Sequence, residues 1–264
     1  MLALLSPAKS LDYETPLPTR KHSVPRMLDD SEALIETLRG QSVSQIASLM
    51  HLSDELAALN AQRYADFEVP FSRRSARPAV LAMAGDTYRG LAVRETWNER
   101  DYTEAQKSVR ILSGLYGVLR PLDLMLPYRL EMGTRLRTDR GATLYAFWGQ
   151  RITDMIRADL AASPGADVVV NLASDEYAKS VNFGALDARV VTPRFEDTDP
   201  AGRRQVISFY AKHARGAMAS WLVRHRIRTA APITSFAEGG YRLDAAASTK
   251  DHPVFVRTFE ARTA

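Results

Sequence analysis

"DVVVNLASDEYAKSV", residues 167–181, passes from one periodicity to another within fifteen residues. Val168, Val169 and Val170 are β-branched and apolar at consecutive positions, the pattern of a strand buried on both faces. Ser174 follows, then Asp175 and Glu176, and together they read as a cap and an acidic first turn. A buried strand that runs into a capped helix is the building unit of an α/β fold.

Working outward, five more apolar runs read as buried strands: "MLALL" at 1–5, "AVLAMA" at 79–84, "ARVVTP" at 188–193, "QVISFY" at 205–210 and "VFVRTF" at 254–259. Helical patterns occupy 104–112, 147–162 and 214–226 between them. Residues 29–64 are helical as well, with Leu34, Ile35 and Leu38 on one face, then Ile46, Leu49 and Met50, then Leu56 and Leu59. Ser31 and Ser53 are the expected N-caps there. The predicted fold is α/β, a mixed and irregular sheet with flanking helices. No repeat or low-complexity linker interrupts the chain, so residues 1–264 are expected to form a single domain. The three prolines of 15–25 mark an extended surface crossing rather than a boundary.

Composition narrows the function. Hydrophobic residues make up 45% and charged residues 25% of the 264, an ordinary globular balance. No apolar run has the length of a membrane span, and "MLALLSPAKS" lacks the basic start and small-residue cleavage site of a secretory signal, so a cytoplasmic location is expected. There is no cysteine, which removes disulfides, thiolate metal sites and cysteine nucleophiles together. The histidines, His22, His51, His213, His225 and His252, never fall four apart on a helix. A resident transition metal or cofactor is therefore not expected, and direct iron sequestration finds little to carry it. The formal net charge is +4. Its distribution is uneven: Arg194, Arg203, Arg204, Lys212, Arg215, Arg224, Arg226 and Arg228 crowd one segment, opposed there by Glu196, Asp197 and Asp199. Such a segment suits nucleic acid.

Small and charged residues gather where four of the apolar runs end: Ser6 to Lys9, Gly85 to Gly90, Asn171 to Tyr177, and Ala211 to Gly216. In open α/β sheets ligands bind at that edge. Lys9, following Pro7 and Ala8, is placed to reach into a cleft there. Asn171 at a strand end and Lys179 one turn beyond Asp175 suit a ribose or base edge, although a capped helix alone accounts for Ser174 and Asp175. Lys212 and Arg215 fall near a helix start, where the dipole disfavours cations and an anionic ligand would relieve the conflict. Arg224, Arg226 and Arg228 lie at the helix end, where positive charge is stabilising in any case. Asp86, Asp123, Glu131, Asp175 and Glu176 supply carboxylates for acid and base roles. No phosphate-binding glycine loop, dinucleotide fingerprint, nucleophile elbow or zinc-protease motif is present.

Two further segments bear on function. Residues 45–64, "QIASLMHLSDELAALNAQRY", have the outline of a helix-hairpin-helix, an element that holds a DNA phosphate on backbone N–H groups. Its turn lacks glycine, and Asp54 and Glu55 would repel a phosphate, so an ordinary capped helix pair fits better. The stretch "SGLYGVLRPLDLMLPYRLEMG", residues 113–133, combines glycines and prolines with the composition of a core. Buried irregular backbone needs partners for all its polar groups and persists where a rigid wall is required. Arg120 and Arg129 would be held by that wall, with Asp123 and Glu131 either orienting them toward an anion or pairing with them internally.

"SPAKSLDY", the 113–133 stretch, "LYAFWG", "NLASDEYAKSV" and "SFYAKHARG" together resemble the bacterial YaaA family of peroxide stress response proteins, in order and over nearly the whole chain. The resemblance implies a cytoplasmic factor that limits peroxide damage by keeping unincorporated iron low. It also implies DNA binding by an unusual α/β fold with a positively charged cleft and a helix-hairpin-helix element. The expected partner is double-stranded or structured DNA, contacted by Lys9, Arg120, Arg129, Asn171, Lys179, Lys212 and Arg215. The rival expectation is an enzyme acting on a nucleotide or nucleobase in the same cleft.

Overall fold

The computed structural model describes residues 1–263. Its central sheet has five strands in the order Gly117–Leu119, Val109–Ser113, Leu2–Leu5, Val168–Asn171 and Arg189–Val191. All neighbours are parallel except Gly117–Leu119, which returns antiparallel on Val109–Ser113. Leu2–Leu5 is the middle strand and is buried throughout, its Leu4 in register with Arg110 on one side and Asn171 on the other. That is the burial a continuous apolar run demands. A second sheet of four strands, ordered Arg242–Leu243, Val254–Arg257, Arg194–Thr198 and Arg204–Gln205, packs around Phe195, Phe255, Phe236 and Tyr241. Arg77–Pro78 and Leu124–Met125 form a separate two-stranded ladder. The α/β expectation holds, as a mixed arrangement with helices on its flanks.

Four local expectations are corrected. "AVLAMA" is not a strand: Ala79–Ala82 is one helical turn after Pro78, and its first N–H groups bond to Asp123 and Pro121 carbonyls instead of a sheet. A short apolar run buried on all sides looks the same in either conformation. "QVISFY" divides at Ile207, after the edge strand Arg204–Gln205 and before the helix Ser208–Arg224. Residues 104–112 also divide, helix Glu99–Ser108 giving way to strand Val109–Ser113. Ser31 is inside the helix Leu28–Arg39, donating to the Met27 carbonyl at 3.0 Å, rather than capping it. Ser53 does cap the helix Asp54–Ala65, and Ser42 caps Val43–Met50 with Gln45 closing a capping box. These two helices are joined across 51–53, with His51 in the left-handed region at φ 53°.

The 113–133 stretch is buried almost end to end, and most of its polar groups are paired, Arg129 Nε being an exception. Ser113 Oγ meets the Tyr128 hydroxyl at 2.6 Å, the Tyr116 hydroxyl accepts from the Leu126 N–H at 2.9 Å, and Gln106 accepts from the Leu122 N–H at 2.9 Å. Asp123, fully buried, accepts from the Arg120 N–H and from Ser23 Oγ. Gly114 lets the stretch fold on itself: a Cβ there would lie 2.2 Å from the Leu130 carbonyl oxygen. At the far end the Gly133 N–H donates to Glu176 Oε1 at 2.9 Å, fastening the stretch to the short helix Asp175–Ala178 that follows Val168–Asn171.

Helices Asp86–Leu91 and Ser208–Arg224 cross with backbone against backbone. A Cβ on Gly90 would lie 1.9 Å from the His213 carbonyl oxygen, and one on Gly216 would lie 1.8 Å from that of Thr87. This crossing brings the residues after Ala84 and the first turns of the long helix to one side of the central sheet.

Candidate functional site

A cleft of about 610 Å³ opens at the carboxyl edge of the central sheet. Its floor and walls come from four places: Ser6 to Ser10 after the middle strand, Ala84 to Arg89, Tyr128 to Glu131 of the buried stretch, and Leu172 to Tyr177 after Val168–Asn171, apart from Ala173. Lys212 and Arg215 close it from the long helix. Strand-end loops define the site because the parallel strands all deliver their following residues to the same side.

Lys9, Arg129, Lys212 and Arg215, separated by up to two hundred residues of chain, thus share one hollow. Three other expected residues do not line it. Arg120 is committed to Asp123, with Nη2 2.8 Å from Oδ1, and to the Val24 carbonyl. Asn171 is buried at its strand end, its Oδ1 accepting from the Ala173 N–H at 3.2 Å. Lys179 is exposed just past the short helix Asp175–Ala178. Arg89, Tyr88, Tyr128 and Tyr177 line the cleft without having been singled out from the sequence; Gly85 to Gly90, "GDTYRG", marks the place of the first two but not their role.

The charge in the cleft is mixed. Lys9, Arg89, Arg129, Lys212 and Arg215 face Asp86, Glu131, Asp175 and Glu176. Glu131 bridges Lys9 at 2.9 Å and Arg129 at 3.2 Å, and Asp86 takes Arg89 at 3.2 Å. Arg129 keeps its Nε–H buried and without a partner. Arg215 is half-buried, and burial lowers its pKa despite the nearby Asp175 charge. The crowded basic segment resolves in the same terms. Arg194, Arg203, Arg204, Arg224, Arg226 and Arg228 each form an ion pair, with Glu196, Asp199, Glu196 and Asp244, Glu238, Asp101 and Glu104 respectively. Among the described residues, Lys212 and Arg215 are the two bases of that segment outside any ion pair, and both line the cleft.

Hydroxyls complete the lining. Ser6 Oγ accepts from the Ser174 N–H at 2.9 Å and lies 3.3 Å from Ser174 Oγ, so the two strand-end loops are stitched together. The Tyr88 hydroxyl donates to the Ser6 carbonyl at 2.9 Å. Among the described residues no group of three or more histidine, aspartate or glutamate side chains is arranged to hold a metal ion. No helix among them is long and apolar enough to cross a membrane.

A mostly parallel sheet with a cleft of mixed charge at its carboxyl edge, one wall of it a buried irregular strap, defines an α/β protein with a strand-end cleft. Residues 1–247 match the family described as peroxide stress protein YaaA, and the chain belongs to that family. It is 50% identical over 257 residues to a UPF0246 protein of Alcanivorax borkumensis, covering 97% of this chain and 98% of that one. The corresponding protein of Tolumonas auensis is 52% identical over the same length and coverage. One from Burkholderia mallei is 54% identical over 258 residues, again 97% and 98% of the two chains.

Proposed function

We propose that this member of the peroxide stress family works in the cytoplasm as a DNA-binding protein, helping to limit intracellular iron and Fenton damage. The observation that carries the reading is that Lys212 and Arg215 stand unpaired at the rim of a cleft they share with Lys9 and Arg129. Lys212 is exposed and Arg215 is kept partly out of water, and among the described residues neither forms an ion pair; such cations favour an anionic partner, and DNA phosphates supply one. Helices Val43–Met50 and Asp54–Ala65 add no residue to the cleft, and Asp54 and Glu55 open the second helix with negative charge. The DNA contact is therefore assigned to the cleft rather than to that helix pair.

Salt dependence tests it. Two unpaired cations correspond to a log–log slope near −2 on duplex DNA, and all five cleft cations to about −4.5. A slope within that interval is expected from fluorescence anisotropy; a flat response removes phosphate contact. Lys212→Ala with Arg215→Ala is expected to weaken binding while leaving the circular dichroism melt in place. The rival reading, an enzyme on a nucleotide or nucleobase, draws on the four carboxylates in the same cleft. Nucleotide turnover abolished by Glu176→Gln would favour it.

A further inference from the structure

An intact duplex keeps its bases stacked inside and its phosphates outside, so it meets the rim of this cleft and not its floor. Yet the floor is where the most specific chemistry lies. The volume of about 610 Å³ is that of a small-ligand site, which commonly spans roughly 300–1,000 Å³. Arg129 carries a buried Nε–H with no acceptor, although its Nη2 is engaged by Glu131. A donor left buried in this way is expensive unless something accepts from it. Tyr128 and Tyr177 are aromatic members of the lining, each about nine-tenths buried, and aromatic side chains are the usual platforms for a base. Lys212 and Arg215, three apart on one helix, occupy one face of it at the mouth.

We propose that the cleft seats a single nucleotide, its phosphate against Lys212 and Arg215 at the mouth and its base or sugar accepting from Arg129 Nε on the wall that Tyr128 and Tyr177 also line. This rests on the DNA reading above, in which the nucleotide is one taken out of the stack. A free nucleoside monophosphate offers the same groups. Extrusion is easiest at a mismatched, damaged or unpaired position, so the seat would make the protein selective for such positions without reading sequence.

Two measurements on the full chain separate the sources. Calorimetry follows binding of each deoxynucleoside monophosphate and of inorganic phosphate, and fluorescence follows 2-aminopurine placed at a mismatch or in a matched duplex. Brightening at the mismatch, exceeding that in the matched duplex, is expected on binding, with mononucleotides held at least about tenfold tighter than inorganic phosphate. Lys212→Ala is expected to weaken both ligands by about tenfold. Arg129→Lys keeps the charge and removes the Nε–H, and should weaken the mononucleotide while sparing inorganic phosphate. Brightening without mononucleotide binding supports the seat with a strand as its source; mononucleotide binding without DNA binding supports the seat and overturns the DNA reading. DNA binding with the expected salt slope, but neither brightening nor mononucleotide affinity, overturns the seat and leaves the DNA reading standing. Absence of all three overturns both.

Discussion

Gly216 shows how one missing side chain sets the site. Its Cβ would meet the Thr87 carbonyl oxygen at 1.8 Å, and the neighbouring backbone has no flexible end to yield. Gly216→Ala is expected to destabilise the protein by about 1–3 kcal/mol, read as a lower urea midpoint. Gly40→Ala is the contrast, since its nearest contact is an ordinary 3.5 Å and its φ is −72°. It should be neutral or stabilising by up to about 1 kcal/mol. At this scale Lys9, Lys212 and Arg215 were legible, because a base just after a strand or facing the sheet edge has few places to go. Arg120 and Arg129 were not separable. They lie nine residues apart in one stretch with a carboxylate close to each, and only the folded loop turns one to Asp123 and Val24 and the other to the cleft. Arg89 escaped notice because nothing in "GDTYRG" reveals that the helix it belongs to lies against Ser208–Arg224.

Between elements, the firmest polar joint is Asp159. From the helix Arg151–Ala162 it accepts from Arg26 at 2.5 and 2.7 Å and from Arg110 Nε at 2.5 Å, tying the strand Val109–Ser113 to the segment before Leu28. Burial alone would raise the pKa of Asp159, but the hydrogen bonds from Arg26 and Arg110 outweigh it and hold the carboxyl below its ordinary value. Unfolding restores the ordinary pKa near 4, so this contribution is complete above about pH 4 and drains away as the pH falls through the lower folded value. Asp159→Asn strands Arg110, whose side chain is 5% exposed, and is expected to destabilise by about 3–5 kcal/mol and to flatten the acid limb of the stability profile. An unfolding free energy from urea titration within about 1 kcal/mol of the parent would contradict that role. The element readings that failed share one cause. "AVLAMA", "QVISFY" and 104–112 are apolar or amphipathic over too few residues for periodicity to choose, and the choice was made by partners distant in sequence: the Pro121 and Asp123 carbonyls for the first, the strand Leu2–Leu5 for the last.

Across the molecule, buried residues from Met1 to Phe255 join in one hydrophobic cluster. The one-domain reading therefore predicts a single calorimetric transition whose van't Hoff and calorimetric enthalpies agree; two resolved transitions would divide the chain. The α/β class was legible because the runs at 167–172 and 188–193 carry consecutive β-branched residues, which favour strands. Strand order was not, since it depends on pairings that span the chain. The net charge of +4 proved a poor guide to the site, because six of the eight bases in the basic segment are neutralised locally and only Lys212 and Arg215 of them line the cleft. Leu2–Leu5, finally, pairs with Val109–Ser113 and Val168–Asn171, so of these three strands it leaves the ribosome first and waits for both neighbours. At about 5–20 residues per second that delay is on the order of ten seconds or more. For that interval a sticky apolar segment has no sheet to join, and the yield of soluble protein in cells should respond to chaperone supply and to translation speed more than to any change at the cleft.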